Sequence, residues 1–141
     1  MPLVLDASAT LAWLIERVDP AESQQALDIL QAVRIQGATV PALWFPEVAN
    51  GVVISERRAS VTPAKSAFFL SKVRSLWIEQ DETPPAATLS LVLSLARTYG
   101  LTGYDATYLE LVLRMGATLA TFDHQLAEAL REAGGKVFGD P

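Results

Sequence analysis

The sequence predicts a three-layer α/β/α sandwich with a central parallel sheet, formed by one domain spanning residues 1–141. Three observations predict it. Short apolar runs alternate with longer stretches of helical periodicity, and strands separated by helices build a parallel sheet covered on both faces. Helical stretches occupy most of the chain, as the two outer layers require. Half of the 141 residues are hydrophobic and only 19% are charged. A chain of this length buries roughly 68% of its unfolded surface, so its core needs neither metal nor disulfide to hold it.

The elements follow in order. Residues 2–5 form a short buried strand that ends at Asp6, and residues 7–15 continue with helical spacing. Residues 22–36 make a longer amphipathic helix through Ala26, Leu27, Leu30 and Val33, stopped by Gly37. Residues 38–41 are a second strand. Pro46 suits the first turn of a helix reaching about residue 58, and Thr62-Pro63 opens another through Phe68, Phe69 and Val73. Residues 76–79 are a strand and 81–85 a loop and helix start. Helices over 86–99 and 102–115 stop at Gly100 and Gly116. A strand over 117–121, a helix over 123–133 and a last strand over 136–138 complete the chain. Trp13, Trp44 and Trp77 are expected in the core.

Composition narrows the chemistry. There is no cysteine, which excludes disulfides, zinc ribbons, thiol nucleophiles and iron–sulfur clusters and favours a cytoplasmic location. The lone histidine, His124, leaves no His-based relay. The opening Met1-Pro2-Leu3-Val4-Leu5-Asp6 reads as neither a signal peptide nor a membrane span, because Asp6 interrupts the apolar run. A net charge of −5 argues against loose, non-specific binding of nucleic acid.

Most of the sixteen acids have plain roles, such as the i,i+4 pair Glu110–Arg114 or the solvated faces around Glu16, Asp19 and Glu22. Four do not. Asp6 ends the run Leu3-Val4-Leu5, Glu47 follows Trp44-Phe45-Pro46, Asp105 precedes the apolar stretch 109–113, and Asp123 follows the strand 117–121. Each sits at the carboxyl end of a strand or in the first turn of a helix. Ligands bind beyond those ends in parallel sheets, so the four acids are expected to share one crevice. Each also has a bland explanation as a helix cap or first-turn acid, and Thr102 with Asp105 resembles a capping box. Four repelling carboxylates at one edge call for a cation, and hard oxygen donors select Mg²⁺ or Mn²⁺. Ser8, two after Asp6, either orients a carboxylate or caps the first helix; Asn50, one turn after Glu47, either faces the same pocket or is a buried or capping amide; and Thr121 either binds a water or metal ligand or is an ordinary strand threonine.

A second signal is the run from Arg57 to Arg74, with Arg57, Arg58, Lys65, Lys72 and Arg74 and no acid. It reads either as a solvated helical face or as a local phosphate-binding rim beside the acidic pocket.

Leu5-Asp6-Ala7-Ser8, Pro46-Glu47-Val48-Ala49-Asn50, Leu101-Thr102-Gly103-Tyr104-Asp105-Ala106 and Leu119-Ala120-Thr121-Phe122-Asp123 together resemble the PIN-domain ribonucleases, and in length and order the VapC-type toxins of toxin–antitoxin pairs. The resemblance covers nearly the whole chain. It implies a PIN-like sandwich and a metal-dependent endoribonuclease whose acids fall on Asp6, Glu47, Asp105 and Asp123. Ser8, Asn50 and Thr121 take the supporting polar positions, and His124 stands where the family often has a basic residue. It also implies an RNA substrate, a cognate antitoxin and a homodimer. Two other readings stand beside it. One is a non-catalytic interaction domain whose acids only cap helices. The other is a phosphatase with Asp6 as nucleophile, disfavoured because Ser8 replaces the second Asp such sites commonly carry.

Overall fold

The computed structural model of the protein describes residues 1–141. Five strands, β1 Leu3–Leu5, β2 Ala38–Val40, β3 Ile78–Gln80, β4 Thr118–Ala120 and β5 Lys136–Val137, form one sheet in the order β3-β2-β1-β4-β5. Every pairing is parallel, with Val4 opposite Thr39 on one side and Leu119 on the other. Seven helices pack around the sheet: α1 Ala7–Leu11, α2 Pro20–Gln36, α3 Trp44–Arg57, α4 Pro63–Arg74, α5 Pro85–Tyr99, α6 Gly103–Met115 and α7 His124–Glu132. The fold is the expected three-layer α/β/α sandwich. None of the helices is long and apolar enough to cross a membrane.

The strand order positions the site. The chain winds outward from β1 through β2 to β3, then returns to place β4 on the other side of β1. The order therefore reverses between β1 and β4, and at such a switch point the loops leaving the carboxyl ends diverge and open a crevice. Asp6 leaves β1 there, and Thr121 to Asp123 leave β4 beside it.

The core explains why such short strands hold. Val4, Leu5, Val40 and Leu119 are fully buried and pack with Ile29, Val33, Leu109, Leu126 and Leu130 from the helices. Truncating one such leucine to alanine costs about 2–5 kcal/mol. Two glycines permit close approach. A Cβ on Gly51 of α3 would lie 2.3 Å from a Leu11 methyl, so glycine leaves room for the Leu11 side chain of α1 as it packs against α3. Gly37, at φ 75°, caps α2, and a Cβ there would sit 2.7 Å from the Trp77 carbonyl that Ala38 N–H bonds.

Two expectations are corrected. The first helix stops at Leu11 rather than residue 15, and turns continue it to Ile15. In that stretch Trp13, half-buried, donates its indole N–H to the Ala26 carbonyl of α2 at 3.0 Å. Trp44 is buried as expected and donates to Thr10 Oγ1 at 3.0 Å, but Trp77 is 74% exposed. Leu76 and Ile78 pack on the core, so Trp77 between them points away, beside an edge strand, and its N–H bonds Glu79 at 2.8 Å. The Glu110–Arg114 pair forms at 2.8 Å, and Arg114 also reaches Asp81 at 2.6 Å, tying α6 to the loop after β3.

Candidate active site

Asp6 is the centre of the crevice. It is 4% exposed and caps α1, its Oδ1 accepting the Ala9 N–H at 2.9 Å and the Ser8 hydroxyl at 2.7 Å. Its Oδ2 accepts the Thr121 hydroxyl. The same two hydroxyls accept in turn: Ser8 Oγ from Phe122 N–H and Thr121 Oγ1 from Asp123 N–H, both at 2.9 Å. The loops leaving β1 and β4 are thus stitched through one buried carboxylate and two hydroxyls.

The other acids arrive from three helices. Asp123 caps α7 by accepting the Leu126 N–H at 3.0 Å. Asp105 lies half-buried in the first turn of α6, where Thr102 Oγ1 caps its N–H at 3.1 Å. Glu47, in the first turn of α3, accepts the Tyr108 hydroxyl at 2.6 Å.

The electrostatics couple these acids in pairs, Asp6 with Asp123 and Asp105 with Asp123 and Glu47. Burial pushes the Asp6 carboxyl up to about 6, against the opposing hydrogen bonds from Thr121, Ala9 and Ser8, and the charge of Asp123 adds to the rise. Burial likewise raises Asp105, with further repulsion from Asp123 and Glu47. Burial, the Glu47 hydrogen bond and the charges of Glu47 and Asp6 hold the Tyr108 phenol far above its ordinary range. Asp6 and Asp105 are thus raised first by burial and then by the like charges beside them.

The donor chemistry fits a hard divalent cation: clustered carboxylate oxygens, flanking hydroxyls and no thiol. As they stand, no three of these side chains form a ready ligand set. Glu47 is turned to Tyr108, and both oxygens of Asp6 already accept hydroxyl or amide donors.

Among the other expected residues, Ser8 and Thr121 sit inside the Asp6 network, whereas Asn50 is exposed on α3 and His124 is exposed at the start of α7. The cationic run divides. Arg57 and Arg58 lie exposed at the end of α3 and Arg74 at the end of α4, while Lys65 and Lys72 line a cleft of about 270 Å³ against α2 and the segment that follows α1.

Two site residues escaped the sequence reading. Tyr108 was hidden in an apolar stretch, although it lies three residues after Asp105 on one helix face. Arg17 had no sequence signal. Its guanidinium lies 4.6 Å from the centre of the Phe122 ring and pairs with Glu22 at 3.2 Å.

A family model described as PIN domain matches residues 3–131. The chain is 30% identical to ribonuclease VapC3 of Pyrobaculum aerophilum over 128 residues, covering 91% of this chain and 94% of that protein. The crystal structure of PAE2754 from Pyrobaculum aerophilum superposes with a TM-score of 0.65 at 25% identity, over 92% of this chain and 86% of that one. FitAcB from Neisseria gonorrhoeae superposes with a TM-score of 0.63 at 18% identity, over 97% and 96% of the two chains, a likeness of fold. With the match running from β1 into α7, the chain belongs to the PIN domain family.

Proposed function

We propose that the protein is a Mg²⁺- or Mn²⁺-dependent endoribonuclease that acts as the toxin of a toxin–antitoxin pair. What supports this reading is the coupling of Asp6 to Asp123, and of Asp105 to Asp123 and Glu47, beside the switch point of a parallel sheet, with Asp6 and Asp105 raised first by burial and then by these acidic neighbours. The 30% identity to a ribonuclease supports RNA as the substrate.

In this reading Asp6, Asp105 and Asp123 hold the cation and Glu47 completes the site or positions water. When bound, such a cation polarises a phosphoryl oxygen and lowers the pKa of the attacking water. Thr121 and Ser8 fix the orientation of the Asp6 carboxylate, and Tyr108 fixes that of Glu47. No side-chain nucleophile is needed, in keeping with a chain that lacks cysteine and keeps its lone histidine exposed. The reading in which the acids only cap helices has Asp6 and Asp123 in its favour. Glu47 fits it as a first-turn acid of α3, but Glu47 is also held by Tyr108 from α6, a bond that this role does not require.

The antitoxin and the homodimer rest on the family resemblance. Leu89, Leu91 and Leu93, exposed on α5, supply apolar surface of the kind such partners cover. A cleavage assay on RNA tests the activity: EDTA abolishes cleavage and Mn²⁺ or Mg²⁺ restores it. Cleavage that persists in excess chelator, with contaminating nucleases excluded, overturns the metal mechanism.

A further inference from the structure

An acidic crevice repels the phosphates it is meant to cut, so a cation must stand close to it. In the run from Arg57 to Arg74 the arginines lie exposed at the ends of α3 and α4. Arg17 lies over the Phe122 ring, beside the Asp6 network. It follows α1 and lines two clefts at once. One, of about 420 Å³, contains Ser8, whose hydroxyl bonds Asp6. The other contains Lys65 and Lys72. Ala12 and Glu16 also line both, so the two clefts adjoin at Arg17, with the Ser8 hydroxyl on one side and the two lysines on the other.

Its geometry suits a phosphate. The guanidinium packs over Phe122, the residue whose N–H bonds Ser8, so a cation–π contact fixes it beside the Asp6 network. Only Nε and Nη2 are engaged, both by the single oxygen Oε1 of Glu22, at 3.3 and 3.2 Å. Nη1 is left free to donate. The Arg17–Glu22 pair is part-exposed, with side chains 33% and 23% accessible, and such pairs are weak. A phosphate accepting two parallel N–H bonds displaces it readily.

We propose that Arg17 is the RNA phosphate contact next to the acid site, that Glu22 holds it in place until a substrate phosphate takes over, and that the strand continues past it to Lys65 and Lys72. This rests on the ribonuclease reading above.

The test is binding of a fluorescently labelled single-stranded RNA of mixed sequence, in EDTA, across a salt series. Arg17→Gln weakens binding roughly 5–10-fold and flattens the salt slope by about 0.7, the value for one lost phosphate contact on a single strand. Arg17→Lys keeps part of the affinity, and in the cleavage assay with Mn²⁺ Arg17→Gln raises KM more than it lowers kcat. Glu22→Gln tightens binding in the wild type and has a much smaller effect in the Arg17→Gln background. A wild type that neither binds nor cuts RNA overturns the ribonuclease reading itself. A wild type that binds, with Arg17→Gln matching its affinity and salt slope, overturns the assignment of Arg17 alone. An equal effect of Glu22→Gln in both backgrounds overturns the role of Glu22.

Discussion

The Thr121 hydroxyl, just beyond β4, donates to the carboxylate of Asp6, just beyond β1. Two residues far apart in sequence become neighbours because their strands pair in parallel, Leu5 opposite Ala120. The bond favours the charged form of a carboxylate that burial disfavours, and the same oxygen of Thr121 satisfies the Asp123 N–H.

Thr121→Val keeps the side-chain shape and removes both functions. It leaves a buried carboxylate oxygen and an amide short of a partner, a loss of about 1–3 kcal/mol measurable as a lower urea midpoint. The Asp6 carboxyl rises further above about 6. RNA cleavage falls by about 10-fold, the usual effect of removing a group that orients a ligand. An unchanged midpoint and rate would show that the hydroxyl orients nothing.

Tyr108→Phe releases Glu47 from its 2.6 Å hydrogen bond without opening a cavity. Stability falls by about 1–2 kcal/mol, as for other hydrogen bonds to charged groups. The cleavage rate falls by about 10-fold if the phenol positions Glu47. Full activity in the Phe variant would make the bond a packing feature only.

Much of this was legible in the sequence, for local reasons. Strand and helix alternation, Pro63 at a helix start and the glycine stops all act within a few residues, and so do the caps Asp6, Thr102 and Asp123. That Asp6 and Asp123 leave neighbouring strands at one edge follows from one tertiary rule, that parallel strands end on the same edge. What was missed depends on contacts that no local pattern encodes. Arg17 is aimed by Phe122 from the far end of the chain. The run from Arg57 to Arg74 is continuous in sequence, whereas in the structure α3 ends within it and α4 begins anew. Trp77 was expected in the core on its size, although alternation between Leu76 and Ile78 already pointed it outward.

Asp81 gives a prediction in pH. Hydrogen bonds from Arg114 hold its carboxyl below the ordinary value of 3.8, against a smaller opposing effect of burial. A depressed carboxyl stabilises the fold above its unfolded pKa and loses that contribution as the pH falls through its folded value. Asp81→Asn therefore costs about 1 kcal/mol at neutral pH, a modest figure because the pair is part-exposed. The difference from wild type narrows as the pH falls below 3.8. A difference that is constant down to strongly acid pH would place its origin outside this ion pair.

Asp6→Asn tests the central claim. Asn caps a helix about as well as Asp, and its amide can donate to Thr121 Oγ1 where the carboxylate accepted. Because folding raises the Asp6 carboxyl from 3.8 to about 6, ionisation of Asp6 costs stability as the pH rises through that interval, and the full penalty is present at pH ~7. The Asn variant escapes it. Melting temperatures of the two proteins at that pH, in EDTA and in saturating Mn²⁺, are the measurement, with one RNA cleavage assay beside them. In EDTA the variant melts at the wild-type temperature or slightly above it. In Mn²⁺ the order reverses, because the wild type gains stabilisation from binding that the variant has lost, and cleavage by the variant falls at least ~100-fold. Identical responses of both proteins to Mn²⁺, with cleavage retained, would make Asp6 a helix cap and contradict the account.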